Sequence, residues 1–280
     1  MRFRGVLAIL SAALVAACAG PAAPPAPLTP PAAPAEQQPL PGHPGKDVIW
    51  VPTPPSLVER MLDMAAVTKD DYVIDLGSGD GRVVIAAAKR GARAVGVEYT
   101  PELVAMARRN AADAGVAELA TFVQGDMFEA DISRATVLAL FLLPANLERL
   151  KPQFRTLKPG TRIVNNGYRI PAWDEAQVGT AGDCGAWCTA YLYYVPADVA
   201  GAWRLGKDEL TLRQDFQALT GRLHAGSGDR NVEGWVHGER IHLRAGLDQY
   251  DGRVQGARMS GEASGSVSGF WSAEREKASR

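Results

Sequence analysis

The sequence predicts an α/β fold with a doubly wound, mostly parallel sheet, followed by a small all-β meander or barrel. Apolar strand-like runs alternate with helical segments from residue 47 to about residue 198. A glycine-rich loop lies between the first of these strands and the helix that follows it. From residue 199 onward, short alternating runs are separated by recurrent glycines, and helical periodicity is absent. The predicted domains are therefore 47–198 and 199–280.

The strands and helices follow one another in regular alternation. The segment "TPPSLVERMLDMAAV" is a helix with Thr53 as its predicted N-cap. The predicted strands are 72–76, 93–98, 120–126, 136–143 and 161–166, with a last, antiparallel edge strand at 189–196. The predicted helices between them are 82–90 and 100–115, and 146–160 is predicted to be a helix followed by a turn.

Composition limits the classes of function. The chain has 280 residues, of which 46% are hydrophobic and 22% charged, so it can build a sizeable core. The formal net charge is −1, which argues against a broad nucleic-acid-binding surface. We expect no nucleic-acid partner, and the composition predicts no particular oligomeric state.

The N-terminal 18 residues have the layout of a secretory signal, with two arginines, a short apolar run and Cys18. Their "VAAC" resembles the lipobox of bacterial lipoproteins, in which the chain is cut before the cysteine and the cysteine is acylated. That resemblance implies a periplasmic protein of the bacterial cell envelope that contacts the membrane only through a lipid on Cys18. A plain signal peptide is an alternative, and a misassigned start codon would leave the protein cytoplasmic.

Residues 19–46 form a segment rich in proline and alanine, with ten prolines. Such a composition cannot bury enough apolar surface to offset its ordering entropy, so we expect a disordered linker. Cys184 and Cys188 are the cysteines beyond the signal segment. Their spacing is compatible with a small disulfide bond and with two free thiols. No set of cysteines and histidines has the spacing of zinc ligands, so we expect no metal site.

The loop from Asp75 to Gly81, "DLGSGDG", predicts a ligand site at the carboxyl end of the sheet. Its glycines allow a tight turn and a close backbone approach. A dinucleotide pyrophosphate would face Asp75 and Asp80 at close range, with repulsion of roughly 1–4 kcal/mol at moderate dielectric. S-adenosylmethionine has no phosphate and carries an ammonium and a sulfonium, so the carboxylates favour that ligand.

The ends of the next two strands add further candidate residues. Glu98 ends the second strand and is placed to accept both hydroxyls of a ribose. Asp126 follows the third strand and is placed to accept from an adenine amino group, beside Met127 as an apolar wall. Three consecutive strand ends therefore carry side chains suited to one nucleoside ligand.

At this point the sequence resembles a known family. "VIDLGSGDGRVVIAAAKRGARAVGVE" resembles the first two motifs of the class I, seven-strand Rossmann-like methyltransferases that use S-adenosylmethionine. The upstream "VPTP" (51–54) resembles a narrower group, the lysine methyltransferases related to the enzyme that modifies the ATP synthase c subunit. The resemblance implies S-adenosylmethionine as cofactor, covered by "VPTP", and these binding residues: Asp75, Gly77, Ser78, Gly79, Asp80, Gly81, Glu98, Asp126 and Met127.

The fourth strand limits the class of methyl acceptor. Many amino-methylating relatives carry an Asn/Asp-Pro-Pro-aromatic motif at this position, whereas this chain has "LFLLPANL" with the single Pro144. This disfavours methylation of DNA adenine or of glutamine, and is compatible with the lysine-methylating group. We expect N-methylation of a protein lysine or of a small molecule.

The sequence does not single out a catalytic base. Five polar residues near predicted strand ends are candidates, although a structural or cofactor-facing role is the simpler interpretation of each: Asp80, Asn146, Asn165, Asn166 and Tyr168. A non-catalytic envelope lipoprotein that binds a nucleoside is the alternative function, because the fourth-strand motif is missing and the methyl donor is made in the cytoplasm. An NAD-dependent oxidoreductase is a third, opposed by Asp75 and Asp80.

Overall fold

The computed structural model describes Lys46 and residues 49–182, 184–226 and 228–276. These residues belong to one compact unit. The predicted signal peptide with Cys18, and the predicted linker up to residue 45, lie outside the described residues. Within the described ranges, no helix combines the length and apolar character that crossing a bilayer requires.

The first part of the chain alternates strands and helices. Its helices are α1 (Pro55–Met64), α2 (Arg82–Lys89), α3 (Pro101–Asp113) and α4 (Pro144–Phe154). Its strands are β1 (Tyr72–Leu76), β2 (Arg93–Glu98), β3 (Ala120–Gln124), β4 (Val137–Leu140), β5 (Arg162–Asn166), β6 (Gln177–Thr180) and β7 (Thr189–Tyr194).

These seven strands form one sheet in the order β3-β2-β1-β4-β5-β7-β6. The five strands from β3 to β5 are parallel, and β7 pairs antiparallel with both β5 and β6. The predicted doubly wound, mostly parallel sheet is confirmed. One apolar layer, with α1 to α3, covers one face of the sheet, and a second layer with Leu147, Leu150 and Phe154 of α4 covers the other.

Several predicted bounds differ from the structure, since β3, β4 and β7 end two or three residues before their predicted ends and α4 is Pro144–Phe154. Two further details are wrong. The N-cap of α1 is Pro54, one residue after the predicted Thr53. The Thr53 hydroxyl oxygen instead accepts a hydrogen bond from Asn166 Nδ2 at 3.3 Å. The predicted edge strand, β7, is an interior strand, because β6 pairs with its outer side. The short and mostly exposed "QVGT" of β6 carries little apolar signal, which explains why the pattern misses it.

The second part is a closed barrel of eight antiparallel strands. Of the two predicted alternatives, a meander or a barrel, the barrel is therefore confirmed. The strands are β8 (Gly201–Leu205), β9 (Asp208–Asp215), β10 (Ala218–Ala225), β11 (Gly228–His237), β12 (Arg240–Ala245), β13 (Asp248–Gln255), β14 (Arg258–Ser264) and β15 (Gly269–Arg275). Large side chains such as Trp203 and Met259 fill its interior, so the barrel has a packed core. The exact boundary between residues 198 and 199 stays a prediction.

Candidate active site

A cavity of about 390 Å³ opens at the carboxyl ends of the parallel strands. The loops after β1, β2, β3, β4 and β5 form most of its wall, and the segment 49–53 closes it from one side. This is the position at which open α/β sheets bind their ligands.

The glycine-rich loop owes its shape to two left-handed residues at which a side chain would clash. Gly79 has φ +53°, and a Cβ there would lie 2.3 Å from Nε1 of Trp50. Gly81 has φ +82°, and a Cβ there would lie 2.6 Å from the Phe122 ring. The loop therefore passes closely under Trp50 before α2 begins, which only glycine permits.

Glu98 ties the loop to the end of β2. Its Oε2 accepts from the Gly79 N–H at 2.9 Å, and its Oε1 accepts from the Thr100 N–H at 2.9 Å. The carboxylate is buried and lines the cavity. Each oxygen keeps a second lone pair, so Glu98 can still accept from a diol while it holds the loop.

Asp75 is a buried carboxylate of the cavity wall whose charge no donor or cation among the described residues balances. It is 4% exposed and, in the described part of the chain, no group donates a hydrogen bond to its carboxylate. Burial, followed by the negative charges of Glu98 and Asp80, raises the pKa of Asp75 well above its ordinary value. A cation bound beside Asp75 would restore the ionised form, so this end of the cavity suits an ammonium and disfavours a phosphate.

Asp80 has a partner within the protein. Its carboxylate accepts from Arg82 Nη2 at 2.6 Å and from Arg82 Nε at 3.0 Å. Arg82 also donates from Nη1 to the Thr53 carbonyl at 2.8 Å, which joins the loop to the segment before α1. Asp80 lines the cavity, but this ion pair makes it an anchor of the loop and argues against a role as proton acceptor.

Asp126 lines the cavity directly after β3. Its Oδ1 accepts from the Phe128 N–H at 3.0 Å, and its Oδ2 accepts from Lys46 Nζ. The Lys46 ammonium, with the Phe128 N–H, lowers the pKa of Asp126. Lys46 also lies over the ring of Tyr99, with Nζ 5.2 Å from its centroid. The carboxylate is therefore ionised and held in place at the rim of the cavity.

The remaining wall is apolar and aromatic. On the side of β4, β5 and β7 it includes Phe141, Leu142 and Leu143 after β4, Tyr168 after β5 and Trp187 before β7. The fully buried Asn165 links these loops, because its Oδ1 accepts from the Leu142 N–H at 3.1 Å and its Nδ2 donates to the Tyr168 carbonyl at 2.8 Å.

The structure brings seven of the nine predicted cofactor residues to the cavity wall: Asp75, Gly77, Ser78, Asp80, Glu98, Asp126 and Met127. Gly79 and Gly81 are absent from the wall and instead shape the loop behind it. The binding role of each residue stays a prediction. Among the candidates for a base, Asn165 and Asn166 are fully buried and bonded within the protein, Asn146 is not part of the wall, and Tyr168 faces the cavity.

Several wall residues are missing from the sequence prediction. Trp50 and Tyr99 directly adjoin "VPTP" and Glu98, so their positions carried a usable signal. Trp187 carried none, because its place depends on a hairpin and on the disulfide bond between Cys184 and Cys188.

The chain is similar in sequence to known methyltransferases. Residues 75–177 match the model of the ANTKMT methyltransferase domain. A protein-lysine N-methyltransferase of Saccharolobus islandicus is 45% identical over 53% of this chain and 94% of its own length. A lysine N-methyltransferase of Xenopus laevis, named for the c subunit of ATP synthase, is 34% identical over 44% of this chain, which spans only 55% of that relative.

A solved structure gives the same fold. The RNA methyltransferase from Salinibacter ruber, in complex with S-adenosyl-L-homocysteine, is 46% identical with a TM-score of 0.50. It covers 53% of this chain and 96% of its own. The fold, the carboxylates of the cavity wall and these relatives lead to one conclusion. The chain belongs to the class I S-adenosylmethionine-dependent methyltransferases, in the family of the protein-lysine N-methyltransferases related to the ATP synthase c-subunit enzyme.

Proposed function

We propose that this protein transfers a methyl group from S-adenosylmethionine to the ε-amine of a lysine in a protein. The observation that carries the proposal is the buried, uncompensated carboxylate of Asp75 beside Glu98, in a cavity whose other wall is apolar and aromatic. The lysine acceptor is supported by the 45% identical protein-lysine N-methyltransferase of Saccharolobus islandicus.

The cofactor residues have distinct tasks in this proposal. Asp75 holds the ammonium of the methionine part, Glu98 accepts from the ribose hydroxyls, and Asp126 accepts from the adenine amino group. Met127 packs beside the adenine, and Trp50 covers the glycine loop that Gly79 and Gly81 shape. Gly77 and Ser78 also line the cavity.

The chemistry makes few demands on the protein. S-adenosylmethionine supplies an electrophilic methyl carbon, and the amine lone pair displaces the neutral thioether in line. The residues must exclude water, align the two atoms and favour the neutral amine. The uncharged side chains of Leu142 and Leu143 perform the first task, because they keep water away from this part of the cavity.

The test is methyl transfer by the full chain. We would incubate it with methyl-labelled S-adenosylmethionine and, separately, with poly-L-lysine, poly-L-arginine and total RNA. Mass spectrometry should find methyl-lysine, and the Asp75→Asn variant should lose the activity while the exposed Asp131→Asn variant retains it. Label in RNA alone would favour the activity named for the Salinibacter ruber protein. Binding of the cofactor without transfer to any acceptor would favour the non-catalytic binding protein.

We also propose that the mature protein is a lipoprotein of the cell envelope, anchored through Cys18. The "VAAC" sequence supports this, and so does the disulfide bond between Cys184 and Cys188, since disulfides persist in oxidising compartments. Mass spectrometry of the mature N-terminus should find an acylated Cys18 in the membrane fraction. An intact Met1 in the cytosolic fraction would refute the proposal.

A further inference from the structure

Three aromatic rings meet in the wall of the cavity, and none of them belongs to a predicted cofactor residue. The Trp187 ring lies 5.7 Å from the Phe141 ring and 5.2 Å from the Tyr168 ring, centroid to centroid. All three residues belong to the cavity wall, and they come from three different loops, after β4, after β5 and before β7. We call these three residues the aromatic wall.

We propose that the aromatic wall binds the side chain of the acceptor lysine and prefers its cationic, methylated form. This rests on the proposed lysine methyltransferase function and names the residues that recognise the acceptor. Aromatic faces attract ammonium groups, and methylated ammonium groups most of all, because they shed water readily.

The distribution of charge in the cavity supports this assignment. The carboxylates Asp75 and Glu98 lie at the cofactor side, where they suit the charges of the methyl donor. The aromatic wall is joined by Leu142 and Leu143, which carry no charge. A lysine that enters here meets rings and alkyl groups, so its stem packs while its nitrogen approaches the donor.

Trp187 combines an unusual backbone conformation with a partly exposed ring. Trp187 adopts a left-handed conformation with φ +60°, which is unfavourable for a residue with a bulky side chain. Its ring lies on Gly167, where an added Cβ would come within 2.9 Å of it, yet the residue remains 40% exposed. Core packing does not account for a large ring that is held in an unfavourable conformation and left half open, whereas ligand binding does.

The chain fixes this conformation from two sides. Cys188, next in sequence, is joined to Cys184 by the disulfide bond, and its carbonyl accepts from the Ala181 N–H at 3.0 Å. The Gly167 N–H donates to the Thr189 carbonyl at 2.8 Å, which holds the loop of Tyr168 against that of Trp187. These bonds hold the backbone on both sides of the Trp187 ring.

A pair of probes tests the proposal directly. The amide of N-acetyl-trimethyllysine is compared by calorimetry with its neutral isostere, in which a tert-butyl group replaces the trimethylammonium. The full chain is saturated with S-adenosylhomocysteine in both titrations. We expect the cation to bind roughly 3- to 30-fold more tightly than the isostere, the range that cation–π interactions span.

Variants locate this preference. Trp187→Ala should abolish it, and Trp187→Phe should retain part of it, which guards against a loss caused by misfolding. Trp235→Ala is the matched control, since Trp235 stacks on His237 and His242 in the barrel and is not part of the cavity wall. Equal binding of the two probes, binding of neither, or a preference that survives in Trp187→Ala would each overturn the proposal.

Failure of the aromatic wall is distinguishable from failure of the proposed function. If the protein binds S-adenosylhomocysteine and methylates poly-L-lysine but shows no preference for the cation, the aromatic wall alone is refuted. If S-adenosylhomocysteine does not bind, the methyltransferase function fails first.

Discussion

The ring of Trp173 stacks on the ring of Phe216, with centroids 4.6 Å apart, and this contact joins the two parts of the protein. Trp173 belongs to the loop after β5, which begins at the cavity with Tyr168, and Phe216 lies in the turn between β9 and β10. Arg155, directly after α4, lies over the same Phe216 ring with its guanidinium carbon 4.0 Å from the ring centroid. The barrel therefore supports the loop that carries one member of the aromatic wall.

Replacing Phe216 should weaken this junction. Phe216 is 5% exposed, and a buried Phe→Ala change costs about 3–5 kcal/mol of the free energy of unfolding. We expect Phe216→Ala to show a loss of this size in urea denaturation. Phe270→Ala, on the barrel but 69% exposed, should change the free energy of unfolding by no more than about 0.5 kcal/mol. Equal effects of the two variants would contradict the proposed junction.

Cofactor binding should release a proton from Asp75. Its raised pKa leaves the carboxyl partly protonated at a pH where an ordinary Asp is ionised, whereas a bound ammonium favours the ionised form. The affinity for S-adenosylmethionine should therefore rise as the pH rises through that pKa. Calorimetry in buffers of different ionisation enthalpy measures the released proton.

Two variants of the cavity wall, Asp75→Asn and Asp126→Asn, show whether the released proton comes from Asp75. Asp75→Asn should bind S-adenosylmethionine about 10- to 100-fold more weakly, the value of a hydrogen bond to a charged group, and should release no proton. Asp126→Asn should leave the proton release unchanged, because the lowered pKa of Asp126 keeps it ionised before binding. Proton release that persists in Asp75→Asn would assign it to another group.

Gly79→Ala should disturb the cofactor side through Trp50. The substitution places a methyl group 2.3 Å from the Trp50 indole and forces alanine to adopt φ +53°. Gly115→Ala is the matched control, since Gly115 has φ +70° with open space around its missing Cβ. Both variants should lose about 1–2 kcal/mol of stability from the left-handed backbone, and only Gly79→Ala should weaken binding of S-adenosylhomocysteine.

The disulfide bond should affect the acceptor more than the cofactor. Without it, Trp187 can leave its left-handed conformation and the aromatic wall loses one side. We expect the Cys184→Ser, Cys188→Ser double variant to raise the KM for poly-L-lysine several-fold, with an unchanged affinity for S-adenosylhomocysteine. A reductant should raise the KM of the wild type but not that of Trp187→Ala. An effect of equal size in Trp187→Ala would disconnect the disulfide from the ring.

Asp248 should govern the acid stability of the barrel. Its buried carboxylate accepts from the Ser266 and Val267 N–H groups at 2.6 and 3.1 Å and pairs with Arg230. Burial alone would raise the pKa of Asp248, but these partners together outweigh it and lower the pKa to about 2. The stabilisation is therefore present above the unfolded-state pKa near 4 and is lost as the pH falls toward 2.

Removal of that charge tests the assignment. Asp248→Asn should lower the free energy of unfolding at pH 7 by roughly 1–3 kcal/mol and flatten its decline between pH 4 and pH 2. The exposed Glu262→Gln on the same barrel should preserve that decline. A decline that is identical in Asp248→Asn and the wild type would place its origin elsewhere.

The sequence determined the parallel half of the sheet closely. The bounds of β1 and β2 were predicted without error, since central parallel strands are continuous apolar runs between a helix end and a glycine or a polar residue. The loop after β1 was also evident, because its glycines and carboxylates are adjacent in the chain. Their chemistry pointed to a cationic, phosphate-free nucleoside before any contact was visible.

The tertiary structure decided the rest of the site. Lys46 meets Asp126 across 80 residues, and Trp187 meets Phe141 through a hairpin whose outer strand is too short and polar to be recognised. Such contacts depend on the order of strands in the sheet and on loop conformation, which neighbouring residues do not encode. Local pattern thus determined the class of cofactor, whereas the packing of distant loops formed the aromatic wall.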